Sequence, residues 1–194
     1  MPRRGNKIVE RFRITDVSTL KLKKKLPMLR IRALEPEDID YVFALENDPS
    51  TWYSGTLLAP ISRHTIAQMV NVTPSIAESG QVRFILHNHP SQEPLGLFDL
   101  FNIDLINQNA SIGLIIYPEV YRNCGFATEA LTLLEHYAFQ HVQLHSLYVE
   151  IFADNIPSLK LFLAANYEVI GTKKQWIRRY RNSFYDVVCL QKIN

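Results

Sequence analysis

One stretch of this chain combines residue types and spacing that suit anion chemistry. Arg122-Asn123-Cys124-Gly125-Phe126-Ala127-Thr128 follows an apolar run ending at Tyr117 and precedes apolar residues at helical spacing. Where a strand turns into a helix, the first helical amides lack intrahelical acceptors, and the helix dipole places positive charge at the same end. An anion fits such a turn. Gly125 and Ala127 leave the backbone open to close approach. Arg122 adds a cation, although its side chain need not face the anion. Many strand–turn–helix junctions of this kind serve packing alone.

Carboxylates form the second group. Asp99 lies within Phe98-Asp99-Leu100-Phe101, where apolar neighbours oppose its charge and call for a partner. It could bind a cationic amine or accept a proton through water. The plainer alternative is a strand-end aspartate paired with a nearby basic residue. Glu150, between Val149 and Ile151, is a weaker candidate whose ordinary role is a salt bridge on a sheet face. His141 and His145 are four apart, but the helix ends between them; His87 and His89 flank a turn. Cys124 and Cys189 have neither disulfide nor zinc spacing, so no metal is expected.

These residues need a scaffold, and the patterning supplies one. Leu29–Leu34 alternates with period 2, as a half-buried strand does. Pro36 opens a helix with acids in its first turn, and Asn47-Asp48-Pro49-Ser50 ends it. A loop with Trp52 and Tyr53 leads to a helical stretch over 62–78. Strands follow at 82–87, 95–103 and 110–117, with turns at 88–94 and 107–109. A helix is expected over 125–141, a short buried strand over 147–153, and a helix after Asn155, Pro157 and Ser158. Asn166 suits the left-handed cap of that helix. The segments 168–177 and 184–193 pair as a closing hairpin about Tyr180-Arg181-Asn182-Ser183. The order is β-α-α-β-β-β-α-β-α-β-β, a mixed α/β domain over 29–194.

Composition bounds the rest. With 194 residues, 47% hydrophobic and 21% charged, the chain can bury roughly 70% of its unfolded surface without a staple. No run approaches the roughly 18 apolar residues of a membrane span, and residues 1–30 hold no apolar core of a secretory signal. A reducing, cytoplasmic setting is the expectation, with no membrane partner. The net charge of +2 divides unevenly: nine basic against two acidic groups in 1–28, a net +7, and twelve against seventeen in the remainder, a net −5. A basic arm can serve nucleic acid or an anionic surface. An arm this short, without interleaved aromatics, reads better as a solvated N-terminal extension, so nucleic acid is not expected.

The junction at 122–127 resembles motif A of the GNAT superfamily of acyl-CoA-dependent N-acetyltransferases, Arg/Gln-x-x-Gly-x-Gly/Ala. Leu29–Asp38 resembles the opening strand and helix of the branch containing spermidine and ribosomal-protein N-terminal acetyltransferases. Leu147-Tyr148-Val149 with Asp154-Asn155 resembles the fifth strand, and Trp176 to Asp186 the closing hairpin. The resemblance spans 29–194 with its motifs in order.

It implies a mostly antiparallel seven-stranded sheet, helices on both faces, and fourth and fifth strands that splay apart. Acetyl-CoA would lie in that gap, its arm against the backbone of Leu114, Ile115 and Ile116. Its pyrophosphate would meet the amides of Arg122, Asn123, Cys124, Gly125, Phe126, Ala127 and Thr128. Asn155 and Ser158 would touch the far side, and Phe162 would wall the tunnel. Trp52 and Tyr53 would line the acceptor side, unless they only anchor their loop. The implied reaction is direct attack of an amine (polyamine, peptide N-terminus or amine-bearing small molecule) on the thioester, with a strand N–H opposite the developing oxyanion. A homodimer is in keeping with this branch. Two positions depart from the pattern: Phe162 stands where many relatives carry a tyrosine acid, and Ser111 where many carry a glutamate. Asp99 is then the nearest carboxylate. A domain that holds acyl-CoA without turnover and a nucleic-acid protein using the arm are the rival readings.

Overall fold

Period-2 alternation builds the strands where it occurs, and longer apolar runs become strands covered on both faces. The structure, a computed structural model, describes residues 28–52, 59–71, 76–178 and 183–194. The basic arm, Tyr53 and the hairpin tip at 179–182 lie outside the described residues. Seven strands form one sheet: β1 Met28–Arg32, β2 Val82–His89, β3 Pro94–Asp104, β4 Asn109–Ile116, β5 Ser146–Phe152, β6 Glu168–Arg178 and β7 Phe184–Ile193, in the order β1-β2-β3-β4-β5-β7-β6. Neighbours are antiparallel except β4 and β5.

The helices divide between the two faces. A single 3-10 turn at Pro36–Asp38 enters α1, Ile39–Asn47; α2 is Pro49–Trp52, α3 Arg63–Asn71, α4 Ile76–Ser79, α5 Phe126–His136 and α6 Ile156–Ala164. On one face Val42 and Leu45 of α1 and Ile66 and Val70 of α3 bury Ile85 and Leu97. On the other, Leu131 and Leu134 of α5 and Leu159 and Phe162 of α6 cover Phe98, Leu100, Ala110, Ile112, Leu147, Val149 and Leu190.

The entrance to α1 is tied by Asp38, whose carboxylate takes two bonds from Arg32, at 2.6 and 2.8 Å, and one from the Glu35 amide at 2.9 Å. Burial opposes the Asp38 charge, but the Arg32 guanidinium and the Glu35 amide outweigh it and hold its pKa below the ordinary carboxylate value.

Two local expectations change. The stretch over 62–78 holds α3, to Asn71, and α4, from Ile76; residues 72–75 between them lie outside the described residues. Trp52 ends a short helix rather than standing in a loop. Pro49 suits the first position of that helix, and the Asp48 side chain accepts from the Ser50 amide at 2.8 Å. The helix over 125–141 is α-helical to His136 and then widens, the Val142 N–H donating to the Tyr137 carbonyl five residues back. Asn166 is left-handed as expected, at φ 65°.

Candidate active site

Two elements meet at the centre of the sheet and then part. β4 and β5 pair only at Asn109–Ser146, Ala110–Leu147 and Ser111–Tyr148; beyond these three rungs they diverge. Gly113, Leu114 and Ile115, in a central strand, are therefore only half-buried. Alternation decides which groups face the gap. The Tyr117 N–H bonds to the Leu95 carbonyl at 2.9 Å, so Tyr117, Ile115 and Gly113 direct their backbone groups at β3. Leu114 and Ile116 direct theirs to the side that β5 has left. Of the three β4 residues singled out from the sequence, two thus offer backbone to the gap, and Ile115 offers a side chain to the α1–α3 face.

The end of β4 leads into the turn. Glu119–Tyr121 forms one 3-10 turn, Asn123 is left-handed at φ 61°, and Gly125 is left-handed at φ 87° as the N-cap of α5. The Tyr121 and Arg122 amides bond back to Pro118 and Glu119, and the Thr128 amide bonds to Gly125. Among the described residues, the amides of Asn123, Cys124, Gly125, Phe126 and Ala127 donate to nothing. Asn123, Cys124 and Gly125 are exposed, Ala127 is half-buried and Phe126 buried, and the row stands at the positive end of a three-turn helix. Arg122 is occupied otherwise: its guanidinium bonds Glu119 at 3.1 Å and the Ile116 carbonyl at 3.4 Å. Phe126 is buried against Tyr121 and anchors the turn to the core.

Asp99 is not the isolated carboxylate that its apolar neighbours suggested. Arg83, directly opposite on β2, donates Nε to Oδ1 at 2.8 Å and Nη2 to Oδ2 at 3.0 Å, while its Nη1 donates to Glu46 Oε1 of α1 at 2.8 Å. Burial opposes the guanidinium charge, and the two carboxylates overcome that, leaving the Arg83 pKa above its ordinary value. A bidentate partner is the counter-charge that a half-buried Asp99 requires. Across the sheet, Asp99 faces Gly113 of β4. A cleft of about 750 Å³ opens beside the pair, with Leu34, Val42, Met69, Val70, Asp99 and Phe101 in its lining.

The remaining residues fall in other surroundings. The Asn155 side chain accepts from the Ser158 amide at 3.2 Å, a helix cap at the start of α6. Phe162 is 4% exposed and packs edge-on against Tyr167, with centroids 5.0 Å apart. Ser111 is buried at the last β4–β5 rung. Glu150 bonds Lys173 of β6. Trp52 closes α2, and Tyr53 lies outside the described residues. Among the described residues no three His, Cys, Asp or Glu side chains converge on one point, and no helix is long and apolar enough to cross a membrane. Arg83 and Glu46 are the site residues that sequence reading missed. A signal existed for Arg83: it is the one charge in Val82-Arg83-Phe84-Ile85-Leu86, and hairpin register sets it opposite Asp99.

A strand pair that parts beside a row of amides without protein acceptors at a helix start has the shape and donors to accommodate an extended, anion-tipped ligand. Residues 28–168 match the acetyltransferase (GNAT) domain family, and the chain belongs to it. Among curated relatives it is 25% identical over 165 residues to the uncharacterized N-acetyltransferase YoaA of Bacillus subtilis, covering 82% of this chain and 93% of that one. It is 27% identical over 146 residues to the spermidine N(1)-acetyltransferase of Escherichia coli, covering 74% of each. Among solved structures it shares its fold, at a TM-score of 0.74 and 22% identity, with the Vibrio cholerae spermidine N-acetyltransferase in complex with CoA and spermine, covering 85% and 95% of the two chains.

Proposed function

We propose that this protein transfers an acetyl group from acetyl-CoA to a primary amine, with the catalytic domain contained in 29–194. The observation that carries the reading is the continuity of two features: the β4 edge bared after Ser111, and the five unbonded amides that follow it at the start of α5. Acetyl-CoA supplies an activated acyl thioester. The chain supplies the means to hold and orient it. The backbone groups of Leu114 and Ile116 suit the amide groups of a pantetheine arm. The amides of Asn123 to Ala127, with Arg122 and Thr128 at the borders, suit a pyrophosphate. Asn155 and Ser158 stand at the head of α6 after β5, and Phe162 backs them from the core.

The Leu114 N–H is the donor available to a carbonyl oxygen held in the gap. Orientation does much of the work in such a reaction, so few obligatory side chains are needed. Phe162 has no proton to give, and CoA departs as a thiolate, a far weaker base than an alkoxide and so a tolerable leaving group. Asp99, held by Arg83, attracts the amine, and water carries the proton away. Trp52 and Tyr53 belong to the acceptor side of this reading.

The setting is the cytoplasm, and the protein assembles as a homodimer or a multiple of it; support comes from the dodecameric form of the structurally similar Vibrio cholerae spermidine N-acetyltransferase. Release of CoA thiol from acetyl-CoA across a panel of primary amines tests the activity. Tight acetyl-CoA binding without amine-stimulated release refutes it, and light scattering reports the assembly.

A further inference from the structure

Cations are scarce along the elements that would hold the cofactor. From Asn123 to Leu159 the chain carries no lysine or arginine and four acids, Glu129, Glu135, Glu150 and Asp154. That stretch comprises the turn, α5, β5 and the head of α6. Arg122, at its border, is bonded to Glu119 at 3.1 Å. The Leu29 side chain joins Phe126 and Ala130 of α5, so Arg30, next along β1, faces the opposite side of the sheet. Acetyl-CoA carries a diphosphate and a 3′-phosphate. The amides of Asn123 to Ala127 suit the diphosphate, but a phosphomonoester brings about −1.5 to −2 further charges at pH 7.

The complementary charge begins beside that turn. Residues 1–28 carry a net +7, with Lys21, Lys23, Lys24 and Lys25 within five positions. β1 starts at the end of the sheet where β4 leaves: Met28 pairs with His89, His87 with Pro94, and Gly96 with Ile116. The Leu29 N–H donates to Glu129 Oε1 at 3.2 Å, and Glu129 stands four residues past Gly125, about 6 Å along the helix. A chain spans at most about 3.6 Å per residue. Whatever path the segment takes, Lys25 is therefore within about 11 Å of Met28 and Lys21 within about 25 Å. We propose that Lys21, Lys23, Lys24 and Lys25 hold the 3′-phosphate of acetyl-CoA, so that the segment before β1 belongs to the cofactor site. The proposal rests on the acetyl-transfer reading and adds a binding segment to it. Backbone amides of an acidic body take the diphosphate, and lysine ammonium groups meet the phosphomonoester as point charges.

The test uses the full chain with two probes, acetyl-CoA and its 3′-dephospho form, in calorimetry at low and at raised salt. The expected result is an affinity at least tenfold higher for acetyl-CoA at low salt. Raised salt narrows that gap, because exposed charges are screened. A quadruple variant, Lys21→Gln with Lys23→Gln, Lys24→Gln and Lys25→Gln, weakens acetyl-CoA at least fivefold and leaves the 3′-dephospho form within twofold. The matching quadruple change to arginine keeps the parent preference. Thermal melts of both variants coincide with the parent, since the changes lie outside the strands and helices of the sheet.

Equal affinity of the parent for the two probes, or an equal loss of both in the glutamine variant, overturns the assignment. So does a glutamine variant that keeps its acetyl-CoA affinity and loses affinity for a single-stranded RNA, which gives the segment to nucleic acid instead. In each of these cases acetyl-CoA still binds the parent, and the acetyl-transfer reading stands. If the parent binds neither probe, that reading itself falls and takes the lysine site with it.

Discussion

Replacing Arg83 by glutamine probes the junction between stability and site. The substitution removes the guanidinium that bridges Asp99 at 2.8 and 3.0 Å and Glu46 at 2.8 Å, and leaves two carboxylates facing one another. Side-chain exposures of 33% for Arg83, 25% for Asp99 and 17% for Glu46 place the group between the surface and the interior. Breaking a fully buried pair costs about 3–5 kcal/mol, and an exposed one about 0–1. Partial screening puts Arg83→Gln near 3 kcal/mol, and the scale for a domain of this size converts that to a fall in melting temperature of about 6–12 °C. Asp99→Asn keeps the Arg83–Glu46 bond and costs about 1 kcal/mol. The double variant costs less than the sum by about 1 kcal/mol or more, because the second change removes the charge that the first left stranded. Thermal melts of the four proteins measure these quantities. A melting temperature within 2 °C of the parent, or additive single effects, would refute the claim that Arg83 organises these carboxylates.

Other perturbations read other parts of the fold. Gly125→Ala forces an L side chain into φ 87°, costs about 1–2 kcal/mol in the melt, and weakens acetyl-CoA about tenfold by calorimetry, whereas Asn123→Gly leaves both within error. Gly96→Ala is the severe strand variant: its Cβ would lie 2.1 Å from the Ile115 carbonyl oxygen, so β3 and β4 must separate. A loss of more than about 3 kcal/mol is expected in chemical denaturation. Asp38→Asn costs about 2–3 kcal/mol at pH 7. Since the folded pKa of Asp38 is depressed, that contribution is present above the unfolded value near 3.9 and is lost as pH falls through the folded one. Denaturation curves of parent and variant should therefore converge below pH 4.

What could be read from the residues follows the range of the physics behind each feature. The turn at 122–128 is local, since Gly125 and the apolar spacing after it define a helix start within seven residues. Strand faces at 29–34 and 82–87 were equally legible. The partner of Asp99 was legible in principle, because Arg83 and Asp99 lie at matched distances from one hairpin turn. Glu46 was not, since its approach depends on how α1 docks through Val42 and Leu45. Why Leu114 and Ile116 face the gap while Ile115 does not depends on the parity of the β3–β4 register, which no single segment encodes.

The three-rung junction has a mechanical consequence. Backbone bonding between β1–β4 and β5–β7 is confined to one end of β4 and β5, so the sheet has a notch, and a notched plate fails first along the line ahead of the notch. α5 lies across that line: the core it joins through Leu131 and Leu134 takes in Phe98 and Leu100 of β3 as well as Leu147 and Val149 of β5. The bolt across the notch is thus the helix whose first turn carries the unbonded amides. A load applied at that turn passes to both halves of the plate at once.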